Sequence, residues 1–158
     1  MEVPPDPEPA LFEMIGRLCS AWSSLEFETE QCIWGILKIN KAVGQHVTWP
    51  MDMRGRWALL MSISKEINKP IDHDFIKDLN DAIPDLNRTR NTIVHGLLLI
   101  LPATGVHSWV VFRGPDAGKP QPASATFVTE TMQAIQRISD KLKQYNDRKG
   151  YRSSPFNF

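Results

Sequence analysis

The sequence predicts a mainly α-helical fold, an antiparallel helical bundle of about four to five helices with a small β-hairpin inserted after the third helix. Two observations lead to this prediction. Apolar residues recur at alternating spacings of three and four along most of the chain. The period changes after Gly96, where two β-rich segments flank a turn sequence.

Length and composition are those of an ordinary globular domain. The chain has 158 residues, of which 42% are hydrophobic and 23% are charged. Eighteen basic residues balance eighteen acidic ones, which excludes a generic nucleic-acid binder with a large basic surface. No apolar run is long enough to span a bilayer, and the proline-rich start does not resemble a signal peptide. Membrane association is therefore not expected.

One domain is predicted at 10–149, between a flexible Pro-rich arm at 1–9 and a loose tail at 150–158. Cys19 and Cys32 fall within one predicted helix, too far apart along its axis to bridge each other. We expect both to be reduced core residues of a cytoplasmic protein.

The first helix is predicted to be long and to carry two neighbouring apolar rows. This apolar surface is wider than one core-facing stripe, so one side should face the core and the other a partner helix. The first row is Leu11, Ile15, Leu18, Trp22, Leu25, Thr29, Cys32 and Ile36, and the second is Phe12, Cys19, Ile33 and Leu37.

Two further helices precede the β-rich region. After a connection at 40–51, Asp52 is a suitable N-cap for a second helix. A third helical stretch begins near Asp72 or Asp74, and Pro84 either kinks or restarts it. We expect Gly96 to close this stretch in the left-handed conformation.

The β-hairpin is predicted at about 97–113, from strands at 97–101 and 107–113. A third short strand is considered at 125–128. Thr129 is predicted to cap the last helix. The apolar stripe of that helix is Met132, Ile135, Ile138, Leu142 and Tyr145.

An arginine interrupts the apolar stripe of the third helix. On a helical wheel Arg90 lies within the same stripe as Leu86 and Ile93. A guanidinium keeps its charge, so a buried one must be paired or must line a wet cleft. Asn91 and His95 lie one turn apart on the flank of the stripe. On the wheel Arg90 and His95 do not point the same way. A long arginine can reach around, but a cleft lined by two such helices would serve better.

These residue types suit phosphoryl transfer. Arginine offers a fixed positive fork for a phosphate, and histidine can move a proton near neutral pH. A 2′-hydroxyl relieved of its proton can attack the adjacent phosphate while Arg90 stabilises the growing charge. This scheme needs no metal and no cofactor.

The run Arg90-Asn91-Thr92-Ile93-Val94-His95-Gly96 resembles the R-x4-6-H signature of the HEPN superfamily, in which a polar residue often follows the arginine. The segment at 18–26 and the order of helices and hairpin are also similar to small bacterial and phage members. The resemblance implies a homodimer whose two motifs face one cleft. It also implies metal-independent endoribonuclease activity that leaves a 2′,3′-cyclic phosphate. Many such relatives are toxins or phage-defence effectors, often with an antitoxin partner.

Structural roles compete with these catalytic ones. Arg90 could snorkel from the helix end or pair with Glu26, whose carboxylate needs a partner in the second apolar row and could support the site. His95 is favoured at a helix C-terminus by the helix dipole alone, and Asn91 could bond the backbone instead of holding His95. The alternative function is therefore a catalytically inactive HEPN-like dimeric interaction or scaffold module.

The remaining candidate residues have simpler explanations. We expect His46, His73 and His107 to be structural or surface residues, and the sequence around them offers no metal-ligand cluster for a metal-dependent hydrolase. Trp22 and Trp57 lie on apolar stripes, which predicts core positions. Base stacking by other tryptophans lacks a neighbouring basic cluster. RNA is thus the predicted substrate, with Arg90, Asn91 and His95 as the predicted catalytic residues.

Overall fold

A computed structural model describes residues 9–66, 70–101, 106–112, 114 and 116–151. Within these residues the chain folds as a helical bundle with one small antiparallel sheet, which confirms the predicted fold class. None of the described helices is long and apolar enough to cross a membrane. The elements are α1 Pro9–Leu37, α2 Lys41–Thr48, α3 Met53–Glu66, α4 Pro70–Asn80, α5 Ile83–His95, β1 Leu97–Ile100, β2 His107–Val110, β3 Gln121–Pro122 and α6 Ala125–Lys149.

Helices α1 and α6 pack along each other and form the centre of the core. Each contributes a row of completely buried residues at spacings of seven, as in a coiled-coil seam. Helix α3 packs against another side of α1. In the second apolar row of α1, Ile33 is buried within the chain, whereas Phe12 and Leu37 are exposed. The rows are Leu18, Leu25 and Cys32 on α1, and Val128, Ile135 and Leu142 on α6.

Both cysteines are free thiols on α1. Cys32 is completely buried in the core, whereas Cys19 is partly exposed. Burial raises the pKa of the Cys32 thiol, so the group stays protonated in the folded chain.

The predicted connection at 40–51 is wrong, because its central residues form α2. The side chain of Asn40 caps this helix by accepting a hydrogen bond from the backbone N–H of Val43 at 3.0 Å. Asp52 has the predicted capping role for α3, since its Oδ1 accepts from the N–H of Gly55 at 2.8 Å.

The predicted third stretch is divided into α4 and α5. Pro84 lies in the first turn of α5, where its missing N–H would have no intrahelical partner in any case. It therefore restarts the helix rather than kinking it. The result is that the sheet follows the fifth helix of the described chain rather than the third.

Gly96 ends α5, but not in the predicted left-handed conformation. Its backbone is extended, with φ −71° and ψ 152°, because β1 begins at the next residue. A glycine is needed at this position because there is no room for a side chain. A Cβ atom placed on Gly96 would overlap the carbonyl oxygen of Thr92.

Gly96→Ala is therefore expected to lower the free energy of unfolding by about 1–3 kcal/mol, since the overlap must push backbone apart. Gly16→Ala is the matched control, because Gly16 lies inside α1 with no atom within 4 Å of an added Cβ. That variant should gain about 0.5–1 kcal/mol from helix propensity. Urea denaturation measures both. Equal gains in the two variants would contradict the overlap at Gly96.

Strands β1 and β2 form the predicted antiparallel hairpin, with Leu98 opposite Trp109. Strand β2 ends at Val110, so the predicted strand at 107–113 is too long, and Arg113 and the turn at 102–105 lie outside the described residues. The third strand is β3 at Gln121–Pro122.

The predicted strand at 125–128 and the predicted cap at Thr129 are both wrong. Residues 125–128 form the first turn of α6, because the Ser124 hydroxyl accepts a hydrogen bond from the N–H of Phe127 at 3.2 Å. This cap starts the helix five residues earlier than Thr129 would.

The folded part of the chain extends further towards both termini than predicted. Pro9 belongs to α1 rather than to the arm, and residues 1–8 lie outside the described part. At the other end Gly150 closes α6 with φ 68°, and the ring of Tyr151 lies 6.0 Å from that of Tyr145. The predicted loose tail therefore cannot begin before residue 152, and 152–158 are not described.

Candidate functional site

Arg90, Asn91 and His95 come together at the C-terminal end of α5. Nη1 of Arg90 donates a hydrogen bond to Oδ1 of Asn91 at 2.9 Å and lies 3.4 Å from Nε2 of His95. Arg90 and His95 diverge on the helical wheel, but the arginine reaches around to the histidine of the same chain. Its side chain is long enough to do so along the helix surface.

The contact with Arg90 favours one tautomer of a neutral His95. Arginine can only donate, so the neutral form of His95 that can accept from Arg90 through Nε2 is the one that carries its proton on Nδ1. The imidazole itself is exposed to solvent, whereas Arg90 and Asn91 are half-buried. His95 can therefore meet a substrate with an unprotonated Nε2.

The indole of Trp22 on α1 lies against the guanidinium of Arg90. The Cζ atom of Arg90 lies 5.6 Å from the centroid of the indole, which is within the range of a cation–π contact. Nε of Arg90 is buried and has no hydrogen-bond partner among the described residues. The guanidinium is thus held by Trp22 and Asn91.

The predicted pair between Arg90 and Glu26 is wrong. Oε1 of Glu26 accepts a hydrogen bond from Nε1 of Trp22 at 3.2 Å and lies 3.8 Å from Nη1 of Arg56. Arg56 reaches Glu26 because α3 packs against α1, and it also pairs with Glu30 at 3.2 Å. Glu26 and Arg90 thus both contact the indole of Trp22.

An open cleft of about 500 Å³ lies beside the motif. Asn91, Thr92 and His95 form one wall, and the opposite wall comes from β2 and the residues that follow it. The other residues that line the cleft are Arg88, Leu97, Val110, Val111, Phe112 and Asp116.

A second group of charges lies at the end of this cleft. Nε of Arg88 is 3.5 Å from Oδ2 of Asp116, and Nζ of Lys119 is 3.2 Å from Oδ1 of the same carboxylate. Arg88 also lies 3.4 Å from Asp85. Local cations are thus present at the site although the whole chain is electrically balanced.

The three histidines that were predicted to be structural or surface residues, His46, His73 and His107, do not line the cleft. Nδ1 of His73 is 2.8 Å from the hydroxyl of Ser64, and His107 lies in β2. Among the described residues no three His, Cys, Asp or Glu side chains are grouped as metal ligands.

The sequence alone did not identify Trp22, Arg88, Asp116 and Phe112 as neighbours of the motif. Trp22 carries the signal of a core residue, since it lies on the apolar row of α1. Asp116 and Phe112 reach the cleft through the fold of the hairpin and its following loop, for which no local pattern exists.

Comparisons of the chain with protein families, with curated proteins and with solved structures found no match.

Proposed function

We propose that this chain is a metal-independent endoribonuclease of the HEPN type, with Arg90 and His95 as catalytic residues and Asn91 as the residue that positions Arg90. One observation supports this most strongly. The positively charged guanidinium of Arg90 lies 3.4 Å from the exposed imidazole of His95, and that imidazole lines an open cleft. Arginine and histidine are the groups that charge stabilisation and proton transfer at a phosphate require.

The reaction proceeds by attack of a ribose 2′-oxygen on the adjacent phosphorus. Nε2 of His95 takes the proton from the 2′-hydroxyl, the O2′–P bond forms and the P–O5′ bond breaks. Arg90 turns from His95 to the phosphoryl oxygens and stabilises the negative charge that grows there. The 5′-oxygen takes a proton from an acid or from water, which leaves a 2′,3′-cyclic phosphate and a 5′-hydroxyl.

The active form we propose is a homodimer in the cytoplasm, where both thiols stay reduced. The resemblance to HEPN proteins suggests this assembly. Since Arg90 and His95 already meet within one chain, a second copy is not needed to join them. Its contribution would be a second imidazole in the cleft, which can act as the acid for the 5′-oxygen.

The test is cleavage of mixed RNA substrates by purified protein in the presence of a chelator, with analysis of the product ends. Wild type is expected to produce 2′,3′-cyclic phosphate ends, and His95→Ala to cleave at least about 100-fold more slowly. His46→Ala is the matched control, because His46 is an exposed histidine on α2 that does not line the cleft.

Two results would contradict the proposal. Wild type that cleaves no faster than His95→Ala would leave the inactive interaction module as the function. Loss of cleavage in His46→Ala to the same degree would mean that the assay reports something other than this site.

A further inference from the structure

Two exposed apolar side chains stand at the mouth of the proposed catalytic cleft. Phe112 is 67% exposed and Leu97 is 53% exposed, and both line the same cleft as His95 and Asn91. Val110, which pairs with Leu97 in the sheet, also lines the cleft and is almost completely buried. The cleft therefore has an apolar wall facing a wall that carries an amide and an imidazole.

A smaller polar pocket of about 280 Å³ adjoins this cleft. The two spaces share the lining residues Arg88, Thr92, Val111 and Asp116, so they lie next to each other. Lys119 lines the smaller pocket but not the larger cleft. The carboxylate of Asp116 lies between the two cations, 3.5 Å from Arg88 and 3.2 Å from Lys119.

We propose that these two pockets form one binding site for single-stranded nucleic acid, in which an unpaired base stacks on Phe112 and Leu97 and a neighbouring phosphate lies between Arg88 and Lys119. The inference rests on the proposed function for the choice of a nucleic acid as the ligand. The phosphate takes the place that the Asp116 carboxylate now occupies.

The chemistry of the walls favours an unpaired nucleotide over a wholly apolar ligand. A base has an apolar face and a polar edge, which match Phe112 on one side and Asn91 on the other. A base within a duplex presents no free face to Phe112. The cleft volume lies in the range of sites that hold small organic ligands.

The charges point to a phosphate that must compete with a carboxylate. Arg88 and Lys119 are both largely exposed and each is held by Asp116, in geometry that an exposed anion can replace. Asp85 also lies 3.4 Å from Arg88 and stays beside it when the phosphate binds. Since two cations contact the phosphate region, the affinity should fall with salt with a log–log slope of about −1.4. Removing Asp116 should strengthen binding, which no purely structural role of this residue predicts.

The experiment measures fluorescence anisotropy of a labelled RNA hexamer in which every 2′-hydroxyl is methylated, added to the His95→Ala chain so that no cleavage occurs. Phe112→Ala is expected to weaken binding about 10-fold, and Phe112→Trp to retain it, because stacking needs a ring. Asp116→Asn should bind several-fold more tightly. Lys119→Ala should bind more weakly, with a salt slope reduced by about 0.7.

Trp49→Ala is the matched control for an exposed aromatic residue. Trp49 is 77% exposed and lines a different pocket with Glu30 and Arg56. Its loss should leave the affinity unchanged, and the same hexamer in a duplex should bind more weakly than the single strand.

The inference is overturned if Phe112→Ala and Trp49→Ala bind the hexamer equally well, or if Asp116→Asn does not strengthen binding. A Phe112→Ala chain that binds normally but has half the molar mass of wild type would assign this face to a second copy instead. Because the methylated hexamer cannot be cleaved, the outcomes are separable. Binding that depends on Phe112 without cleavage by wild type would refute the proposed function alone, and cleavage without dependence on Phe112 would refute this inference alone.

Discussion

Arg90→Ala is expected to lower the rate of RNA cleavage by at least about 100-fold, because the developing charge on the phosphoryl oxygens loses its preorganised donor. The loss should appear mainly in kcat, since Arg90 contacts His95 in the free chain and is proposed to move to the phosphate during the reaction. Steady-state cleavage of a short fluorogenic RNA measures this effect.

Arg90→Lys separates charge from geometry. Lysine keeps the positive charge but lacks the planar fork that can bond Asn91 and a phosphate together, so it should restore less than a tenth of the lost rate. Arg17→Ala is the control, because Arg17 is an exposed arginine on α1 paired with Glu13. Full activity in Arg90→Ala, with an unchanged melting temperature, would rule out this residue as a catalytic group.

Asn146→Asp is expected to reduce the free energy of unfolding by about 3 kcal/mol or more at pH 7. Asn146 is completely buried on α6, and its Nδ2 donates to the backbone oxygen of Glu28 at 2.9 Å and to Oε2 of the same residue at 3.0 Å. Aspartate has the same shape but offers only acceptors, and its charge would lie beside a buried carboxylate. The deficit should shrink as the pH is lowered, since burial raises the pKa of the new carboxyl and the protonated group can donate.

Gln136→Glu is the matched control on the same helix. Nε2 of Gln136 donates to Oδ1 of Asp140 at 3.0 Å, so the same exchange of an amide for an acid is made beside a carboxylate. Both residues are exposed, and the substitution should lower the free energy of unfolding by no more than about 0.5 kcal/mol. Urea denaturation of the two variants gives the comparison. Similar losses in both would show that burial of Asn146 is not what makes its amide important.

The helical fold could be predicted because its signals are local. The seven-residue spacing of Leu18 and Leu25 and the cap at Asp52 act within a few turns of one helix. Segment 125–128 was misread because four residues fit the helical and the strand period equally well, and Ser124 decides between them. Such short segments carry too little periodicity to settle their structure.

In the candidate site, too, contacts within one helix could be predicted and contacts between helices could not. The cluster of Arg90, Asn91 and His95 lies within one helical turn and a half, so its residues could be identified from sequence. The partner of Glu26 could not, because Arg56 comes from another helix that packs against α1. A helical wheel gives only the direction in which Arg90 leaves the helix, and the length of its flexible side chain decides whether it reaches His95.

Gly96 alone separates the last residue of α5 from the first residue of β1. This short link joins His95 on one wall of the cleft to Leu97 at its mouth, and Leu97 in turn pairs with Val110 of the facing strand. The end of α5 is thus tied to the facing strand through only two residues, Gly96 and Leu97. The cleft is therefore preorganised: a ligand meets it already formed, so little conformational entropy is lost on binding. Hydrogen exchange should report this rigidity as slow exchange of the β1 and β2 amides, with little change when an oligonucleotide binds.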